Sequence, residues 1–309
     1  MAIVSNRFMK PKTVLSVLCV FTLVISAAFL TRLSYRSRGL APVKHFDVAG
    51  QIRDLDLPNK TIRIAHEEIA DYMPPMTMAL PVKDPALLRG LAAGDRINFR
   101  LTVTDDDSWI SHITKANRAE GNGKEAFPAA NSALDRETER LQTGEAVPDF
   151  TLTDQNGRPV RLSDFRGKAV VLTFIYTRCP LPNFCPLMSK NFQALQERFN
   201  KAFPGRYQLL SVSIDPQFDQ PAVLREYAQR YGSDEKHWTF ATGTEDQIKF
   251  VADSMGLFYQ PENGQIAHDL RTALIGPDGR LVHLWKSNVW TPYEVHRMVA
   301  ELLTGTRNS

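Results

Sequence analysis

The strongest constraint on the fold is the apolar run KAVVLTFIYT at residues 168–177. A continuous run of this length, rich in β-branched and aromatic residues, is typical of a strand that is buried on both faces. Such a strand needs covering helices, and amphipathic patterns follow it at 187–200 and 221–232. A second apolar strand, YQLLSVSID at 207–215, lies between these two helical patterns. The region is therefore predicted to be α/β.

The order of elements around this run indicates a thioredoxin-like domain, which we assign to residues 146–309. A hairpin with an Asn-Gly turn precedes the buried strand at 149–165. A hairpin with a Pro-Asp-Gly turn at 271–286 and a closing helix at 291–305 come last. A hairpin, a βαβ unit, a further helix and an antiparallel hairpin with a closing helix form the thioredoxin-like order.

Residues 44–116 are predicted to be all-β. Alternating apolar and polar residues, broken by turn residues, suggest five short strands, which suit a small barrel of the OB kind. PALLRGLAAGD at 85–95 is predicted to hold at most a short helical turn. A linker rich in Ala, Asn, Gly and charge is assigned to residues 117–145.

The N-terminal segment, residues 1–43, is predicted to be a transmembrane helix followed by a polar stalk. Val14–Leu30 carries no charge, and at roughly 1.5 Å per residue it nearly spans a hydrocarbon core of about 30 Å. The short N-terminal tail places the later domains in the periplasm or at the cell exterior. A cleaved signal peptide is the alternative, because small residues at 26–28 offer a cleavage site.

Charge and cysteine content narrow the function. The chain has 309 residues and a net charge of +3, and its scattered Lys and Arg form no basic stripe, so nucleic acid is excluded as a partner. No Gly-rich phosphate-binding motif is present. Of three cysteines, Cys19 lies in the apolar run, which leaves the pair Cys179 and Cys185. One close pair indicates metal binding or redox chemistry rather than a disulfide scaffold.

Cys179 directly follows the buried strand, and Cys185 precedes a helix. The end of such a strand lies at the carboxyl edge of the sheet, where α/β folds hold their ligands. The helix start and Arg178 are expected to favour thiolates. Five residues, two of them proline, separate the cysteines, so the loop can close a disulfide or hold two thiolates around a soft ion such as Cu(I). Two buried structural thiols are the simpler alternative.

Four segments of this region together resemble the Sco/SenC family of copper chaperones: VPDFTLTDQNGRPVRLSDFRGK, VVLTFIYTRCP, SVSIDPQFDQP and AHDLRTALIGPDGRL. The resemblance implies a thioredoxin fold that binds copper through Cys179, Cys185 and a distal histidine, His268. It also implies a copper-receiving partner, such as a subunit of cytochrome c oxidase, whose assembly the family serves. The spacer between the cysteines is longer here than the family usually has.

The resemblance leaves simpler interpretations open for three residues. His268 could be an ordinary surface histidine. The acidic turn of the family corresponds to Asp215 and Asp219, which could instead cap the helix that begins at Pro221.

A second candidate site lies in AHEEIADYMPPMTMALPV at 65–82, which holds three of the eight methionines. Met76 and Met78 are two apart in a predicted strand and so share a face, and His66 ends the preceding strand. Two thioethers and an imidazole form a soft, uncharged site suited to Cu(I) or Ag(I). Methionines that merely fill the core are the alternative.

This segment resembles the small periplasmic copper-binding barrels of the CusF type. Their ligands are a histidine and the two methionines of a Met-Thr-Met element, which correspond to His66, Met76 and Met78. Met73 stands roughly where the family has a metal-covering tryptophan, and we expect it to be a third thioether ligand. Trp109 is predicted to be a core residue.

The combined prediction is a membrane-anchored, extracytoplasmic copper chaperone with two copper sites. Because thiolates bind Cu(I) more strongly than thioethers do, copper is expected to pass from the methionine site to the cysteines across a flexible linker. The main alternative is an extracytoplasmic thiol-disulfide oxidoreductase with Cys179 and Cys185 as catalytic residues. A thiol peroxidase is less favoured, and a metal-resistance buffer without transfer is the other alternative. A metallochaperone is preferred over an enzyme.

Overall fold

A computed structural model describes residues 43–116 and 141–305 of the chain. The predicted membrane helix and stalk, and most of the predicted linker, lie outside these residues. Among the described residues, no helix has the length and apolar character that crossing a bilayer requires.

Residues 44–116 form an antiparallel five-stranded sheet, here called the β-module, with the strand order β3-β2-β1-β4-β5. The strands are β1 (Lys44–Asp56), β2 (Thr61–His66), β3 (Met76–Pro81), β4 (Arg96–Val103) and β5 (Ser108–Lys115). All five predicted strands are present, and Pro85–Leu88 forms the expected short helical turn, of the 3-10 type. The ladder is not closed, however. A single bridge between Val82 and Ile110 links the two edges within the described residues, so the sheet is curled rather than a fully bonded barrel.

The long strand β1 holds the β-module together, because it pairs with both β2 and β4. Its register shifts between Ile52 and Asp54, an irregularity of the kind that bends a strand. Gly50 lies opposite His66, and a Cβ atom at Gly50 would lie 2.5 Å from Ile64 Cγ2 and 2.9 Å from the Ala65 carbonyl oxygen. Glycine is therefore needed for the close approach of β2, the strand that ends in His66.

The remaining described residues form a thioredoxin-like domain built on a seven-stranded sheet with the order β14-β13-β8-β9-β10-β6-β7. The strands are β6 (Thr151–Asp154), β7 (Pro159–Arg161), β8 (Ala169–Ile175), β9 (Tyr207–Ser213), β10 (Trp238–Thr242), β13 (Thr272–Ile275) and β14 (Leu281–Trp285). The helices are α1 (Cys185–Ala202), α2 (Pro221–Arg230), α3 (Glu245–Ser254) and α4 (Pro292–Thr304). Every residue of the parallel strands β8 and β9 is buried, which confirms the prediction made from their apolar runs.

A third hairpin of this domain, β11 (Tyr259–Glu262) and β12 (Gln265–His268), was not predicted. Its turn residues Asn263 and Gly264 both have positive φ, 50° and 78°. Asn-Gly is the preferred pair for such a two-residue turn, so ENGQ in the sequence was a signal that could have revealed it. The hairpin ends in His268 and packs against β3 of the β-module.

We expect Gly50→Ala to lower the free energy of unfolding of the β-module by about 1–3 kcal/mol, the usual cost of overpacking a close contact. The added methyl group must displace the Ile64 side chain and the backbone at Ala65. Chemical denaturation followed by circular dichroism measures the change. An unaltered unfolding midpoint would show that β2 does not approach β1 this closely.

Candidate metal centre

Strand β8 and helix α1 bring the two cysteines together. The chain leaves the sheet after Ile175, and the Cys179 N–H donates to the Tyr176 carbonyl at 3.3 Å. The Tyr176 N–H in turn donates to Cys185 Sγ at 3.4 Å, so the end of the strand is bonded to the first residue of the helix. Cys185 is fully buried and Cys179 is partly exposed.

His268 completes a compact group of three ligand atoms. The sulfur atoms of Cys179 and Cys185 and a ring nitrogen of His268 all lie within 4.8 Å of one another, and Cys185 Sγ is 3.9 Å from His268 Nε2. The three residues predicted from the sequence are therefore brought together. His268 is 7% exposed, so the interpretation of it as a surface histidine was wrong.

The orientation of His268 suits it to bind a metal. Its Nδ1 lies 2.7 Å from the carbonyl oxygen of Asp269, which favours a proton on Nδ1. Nε2 then faces the sulfurs, where it donates a hydrogen bond when it is protonated and can bind a metal when it is not. The rings of Tyr176 and Phe184 contact the imidazole edge-on, with centroids 5.5 and 6.2 Å away. The ring is thus held in one orientation by a hydrogen bond and by packing.

Asp219 supports the turn before Cys179 and does not cap a helix. It accepts hydrogen bonds from the Thr177 N–H at 3.0 Å, the Thr177 hydroxyl at 2.5 Å and the Ser213 hydroxyl at 2.6 Å. The capping interpretation was wrong, because the N-cap of α2 is Gln220 without a side-chain cap. Burial raises the pKa of Asp219 despite the hydrogen bonds from Ser213 and Thr177. Sequence reasoning did not identify this network, since its partners are far apart along the chain.

Arg178 does not act on the thiols as predicted. Its guanidinium group donates to Asp215 Oδ2 at 2.5 and 3.0 Å and to the Gly264 carbonyl at 3.1 Å. Asp215 is therefore an ion-pair partner rather than a helix cap. The pair joins the cysteine turn to the β11–β12 hairpin, which carries His268.

The two thiols differ in acidity. Burial by itself would raise the pKa of Cys179, but hydrogen bonds from Cys185 and His268, with the charge of His268, lower it well below the ordinary value. Burial first, and then the nearby sulfur of Cys179, raise the pKa of Cys185. The partly exposed thiol is thus the one that ionises first.

The second candidate site is assembled where β2 meets β3. His66 pairs with Met76, and Ile64 pairs with Met78. Met76 and Met78 are both buried while Thr77 between them is not fully buried, so the two thioethers share a face. Met73 is buried as well, and its backbone N–H and carbonyl exchange hydrogen bonds with Ile69.

His66 distinguishes this site from ordinary core packing. Its Nδ1 lies 2.6 Å from the Glu67 carbonyl oxygen, while Nε2 is buried and has no hydrogen-bond partner within the described chain. Burial lowers the pKa of His66, which keeps the ring neutral. A buried nitrogen without a partner is costly, and a soft ion bound to Nε2 and the neighbouring thioethers would satisfy it.

Trp109, which was predicted to be a core residue, is only half-buried. The ammonium group of Lys83 lies 3.2 Å from the centroid of its ring. The ring face of Trp109 is therefore covered by the Lys83 cation.

In the reduced, metal-free protein, Cys179 should react with iodoacetamide at pH 7 at least about tenfold faster than Cys185. An ordinary thiol is only a few per cent thiolate at that pH. The lowered pKa of Cys179 raises its thiolate fraction above this level, and the raised pKa of Cys185 reduces it further. Mass spectrometry of the peptides follows each residue separately. His268→Ala should shift the pH profile of Cys179 to higher pH, since it removes a donor and a charge. The control His283→Ala should leave the profile unchanged, and equal reactivity of the two cysteines would contradict the assigned acidities.

Comparison with known proteins agrees with both predicted resemblances. The SCO1/SenC family matches residues 138–304, and the copper binding periplasmic protein CusF matches residues 45–115. The second match agrees with the prediction that copper is the bound metal.

Individual relatives cover about half of the chain. The SCO1 protein homolog of Bacillus subtilis is 30% identical over 152 residues, which span 48% of this chain and 77% of that protein. Among solved structures, a SCO1/SenC family lipoprotein from Bacillus anthracis is 32% identical, with a TM-score of 0.47, and covers 51% of this chain and 94% of that one. ScoI of Bradyrhizobium japonicum, solved with copper bound, is 26% identical, with a TM-score of 0.45, and covers 52% of this chain and 100% of that one. The family match spans more than half of the sequence, and the chain belongs to the SCO1/SenC family.

Proposed function

We propose that this protein is a membrane-anchored, extracytoplasmic copper chaperone. Its main support is the convergence of Cys179, Cys185 and His268, whose ligand atoms lie within 4.8 Å of one another. Two thiolates suit Cu(I), and the imidazole makes the same group suitable for Cu(II). Copper is the cargo of this site.

The proposal includes a second Cu(I) site at His66, Met76 and Met78, with Met73 as a further thioether ligand. The unpartnered Nε2 of His66 supports it, as does the match to a copper binding periplasmic protein at residues 45–115. The same match supports an extracytoplasmic location. All four ligands are neutral, so the site is suited to Cu(I) and unsuited to hard cations.

The proposed organisation has four parts. They are an anchor and stalk at 1–43, the β-module at 44–116, a linker at 117–145 and the copper-binding thioredoxin-like domain at 146–309. The recipient is a copper-receiving protein such as a subunit of cytochrome c oxidase. Cys179 is the partly exposed ligand of the centre, so it is the sulfur that a donor or a recipient would reach first.

Each residue of the cysteine centre has a separate task in holding copper. Cys179 ionises first and offers a thiolate near the surface, while the buried Cys185 supplies the inner sulfur ligand. His268 supplies Nε2, fixed by the bond of Nδ1 to Asp269. Asp219 positions the turn before Cys179 through its hydrogen bonds with Thr177.

A thiol-disulfide oxidoreductase is the second candidate function. The two sulfurs are free thiols that lie within 4.8 Å of each other. A disulfide has its sulfurs about 2 Å apart, so the turn would have to shift locally to form one. Such a reaction would use Cys179 as the attacking thiolate and Cys185 as the resolving thiol.

Copper titration of the reduced full-length chain tests the chaperone proposal. Because the thiolates are the strong Cu(I) ligands, Cys179→Ser or Cys185→Ser should abolish tight Cu(I) binding at the centre, whereas His268→Ala should weaken Cu(II) more than Cu(I). Competition with a Cu(I) chelator, with metal counted per chain, measures the affinities. Met76→Leu with Met78→Leu should remove the second Cu(I) at little cost in packing.

Two matched variants control these measurements. His283→Ala removes a histidine of β14, and Met298→Leu removes a thioether of α4, and neither should alter copper binding. Parent-like copper binding in all three variants of the cysteine centre would refute the assigned site. Dithiol turnover with a disulfide substrate, in a chain that binds no copper, would favour the oxidoreductase.

Reporter fusions test the proposed topology. An alkaline phosphatase fused after Lys44 should be active, and a reporter that works only in the cytoplasm should be silent there. The fusion should remain in the membrane fraction. Release of a soluble mature protein would show that Val14–Leu30 is a cleaved signal peptide.

A further inference from the structure

The segment between the two cysteines, residues 180–184, contacts the β-module. The Tyr72 hydroxyl donates to the Pro180 carbonyl at 3.1 Å. Asn183 and Ser108 bind each other reciprocally: the Ser108 hydroxyl donates to Asn183 Oδ1 at 2.5 Å, and Asn183 Nδ2 donates to the Ser108 carbonyl at 2.8 Å. Asn183 is 3% exposed and Ser108 is 0% exposed, so this polar pair is sealed inside the contact.

The hairpin that ends in His268 also contacts the β-module. The Thr77 N–H donates to Glu262 Oε2 at 2.8 Å, and Asn263 Nδ2 donates to the Pro75 carbonyl at 2.5 Å. Glu262 thus satisfies a backbone group of β3, an edge strand of the β-module.

Arg63 of β2 extends this contact to the residue after His268. Its guanidinium group lies 3.8 Å from Asp269 and covers the ring of Phe258 at 5.2 Å from the centroid. Both elements that carry ligands in the thioredoxin-like domain are therefore in contact with the β-module.

These contacts lie beside the ligands of both proposed sites. On the β-module, Tyr72 precedes Met73, and Pro75 and Thr77 flank Met76. On the other side, Pro180 follows Cys179 and Asp269 follows His268. The two ligand sets thus border one interface, although they are separated by roughly a hundred residues of sequence.

We propose that the β-module docks on the cysteine centre and passes Cu(I) to it across this contact, with residues 180–184 as the docking element. The inference rests on the proposed function and identifies the donor as a part of the same chain. It differs from a handover that depends on diffusion at the end of a flexible linker, because residues next to both sets of ligands are already in contact.

The transfer is a ligand exchange without a change of oxidation state. Bonds from copper to His66 Nε2 and to the thioether sulfurs break as bonds to the sulfurs of Cys179 and Cys185 form. The protons of the two thiols leave to the solvent. Charged thiolates hold Cu(I) more strongly than neutral thioethers do, so the exchange runs towards the cysteines.

The interface includes polar contacts that can break and re-form. Its outer contact, the ion pair between Lys190 and Asp106, is exposed and adds little to stability. The buried hydrogen bonds between Asn183 and Ser108 fix where residues 180–184 sit on the β-module. Contacts of this kind resemble transient interfaces between domains, which lets a recipient gain access to Cys179 once the β-module has left.

The test compares full-length chains with the docking contact intact or weakened by Tyr72→Phe and Ser108→Ala. Neither residue is a proposed ligand. Each chain receives one equivalent of Cu(I) as a soluble chelator complex, and ultraviolet absorption of the copper–thiolate bonds records the loading of the cysteine centre. The same measurement is made with Met76→Leu and Met78→Leu, which disable capture by the β-module. Tyr293→Phe with Ser163→Ala serves as the matched control pair.

With the contact intact, losing the methionines should slow loading about tenfold, because the docked β-module then captures no copper and still limits access to the partly exposed Cys179. With the contact weakened, the same loss should have little effect, because copper reaches the cysteines directly. A methionine effect of equal size in both backgrounds, or none in either, would overturn the docked transfer. A cysteine centre that takes up no Cu(I) in any chain would instead refute the proposed function.

Hydrogen–deuterium exchange of the metal-free chain tests the docking separately from copper. The peptide containing Thr77 should exchange several-fold faster when Tyr72→Phe and Ser108→Ala weaken the contact, because the Thr77 N–H then loses its bond to Glu262. The control pair should leave its exchange unchanged. Rapid exchange of this peptide already in the unaltered chain would show that the two parts do not dock.

Discussion

The hydrogen bond from the Tyr176 N–H to Cys185 Sγ, at 3.4 Å, connects the elements on which the cysteine centre depends. Strand β8 is buried along its whole length and therefore ends at a fixed place, at the carboxyl edge of the sheet. Helix α1 begins at Cys185 and is held to the domain by its buried residues Met188 and Phe192. The intervening segment must then span a set distance, and its two prolines limit the paths it can take. The position of both sulfurs thus follows from the packing of a strand and a helix.

The histidine ring is oriented by the same kind of contact in both proposed copper sites. In each, Nδ1 binds the carbonyl of the next residue, Glu67 after His66 and Asp269 after His268. Each histidine ends a strand, so the chain turns there and brings that carbonyl within reach. Nε2 has no hydrogen-bond partner in His66, and in His268 it lies 3.9 Å from Cys185 Sγ. Burial restricts the access of water to both rings. The sites differ in their sulfur ligands, thioethers in one and thiols in the other, and this difference sets the direction in which Cu(I) would move.

Much of the fold and most of the candidate ligands could be predicted because they depend on short patterns. The apolar runs of β8 and β9, the Asn-Gly hairpin of β6 and β7 and the five strands of the β-module are local features, and all were confirmed. The interpretations of Arg178, Asp215 and Asp219 failed for the opposite reason. A charged residue beside a cysteine, such as Arg178, or one before a helix, such as Asp215 or Asp219, can reach several partners once the chain is folded. Its position in the sequence therefore does not decide which partner it binds. Arg178 forms an ion pair with Asp215, and Asp219 accepts hydrogen bonds from Thr177 and Ser213. The closure of the β-module also failed as a prediction, since strand number alone does not decide whether the two edges bond.

The sequence by itself determined the chemistry: two thiols flanked by proline, a Met-Thr-Met element after a histidine, and the elements that carry them. Residue type decides which ion a site prefers, and hydrophobic periodicity decides which residues form strands and helices. Only the tertiary structure decided that His268 meets Cys185, 83 positions earlier in the chain. It also decided that Asn183, a spacer residue in the sequence, binds Ser108 of the β-module. Both contacts join residues that are distant along the chain, and their partners are chosen by how the sheets and the hairpin pack. No local pattern contains that information.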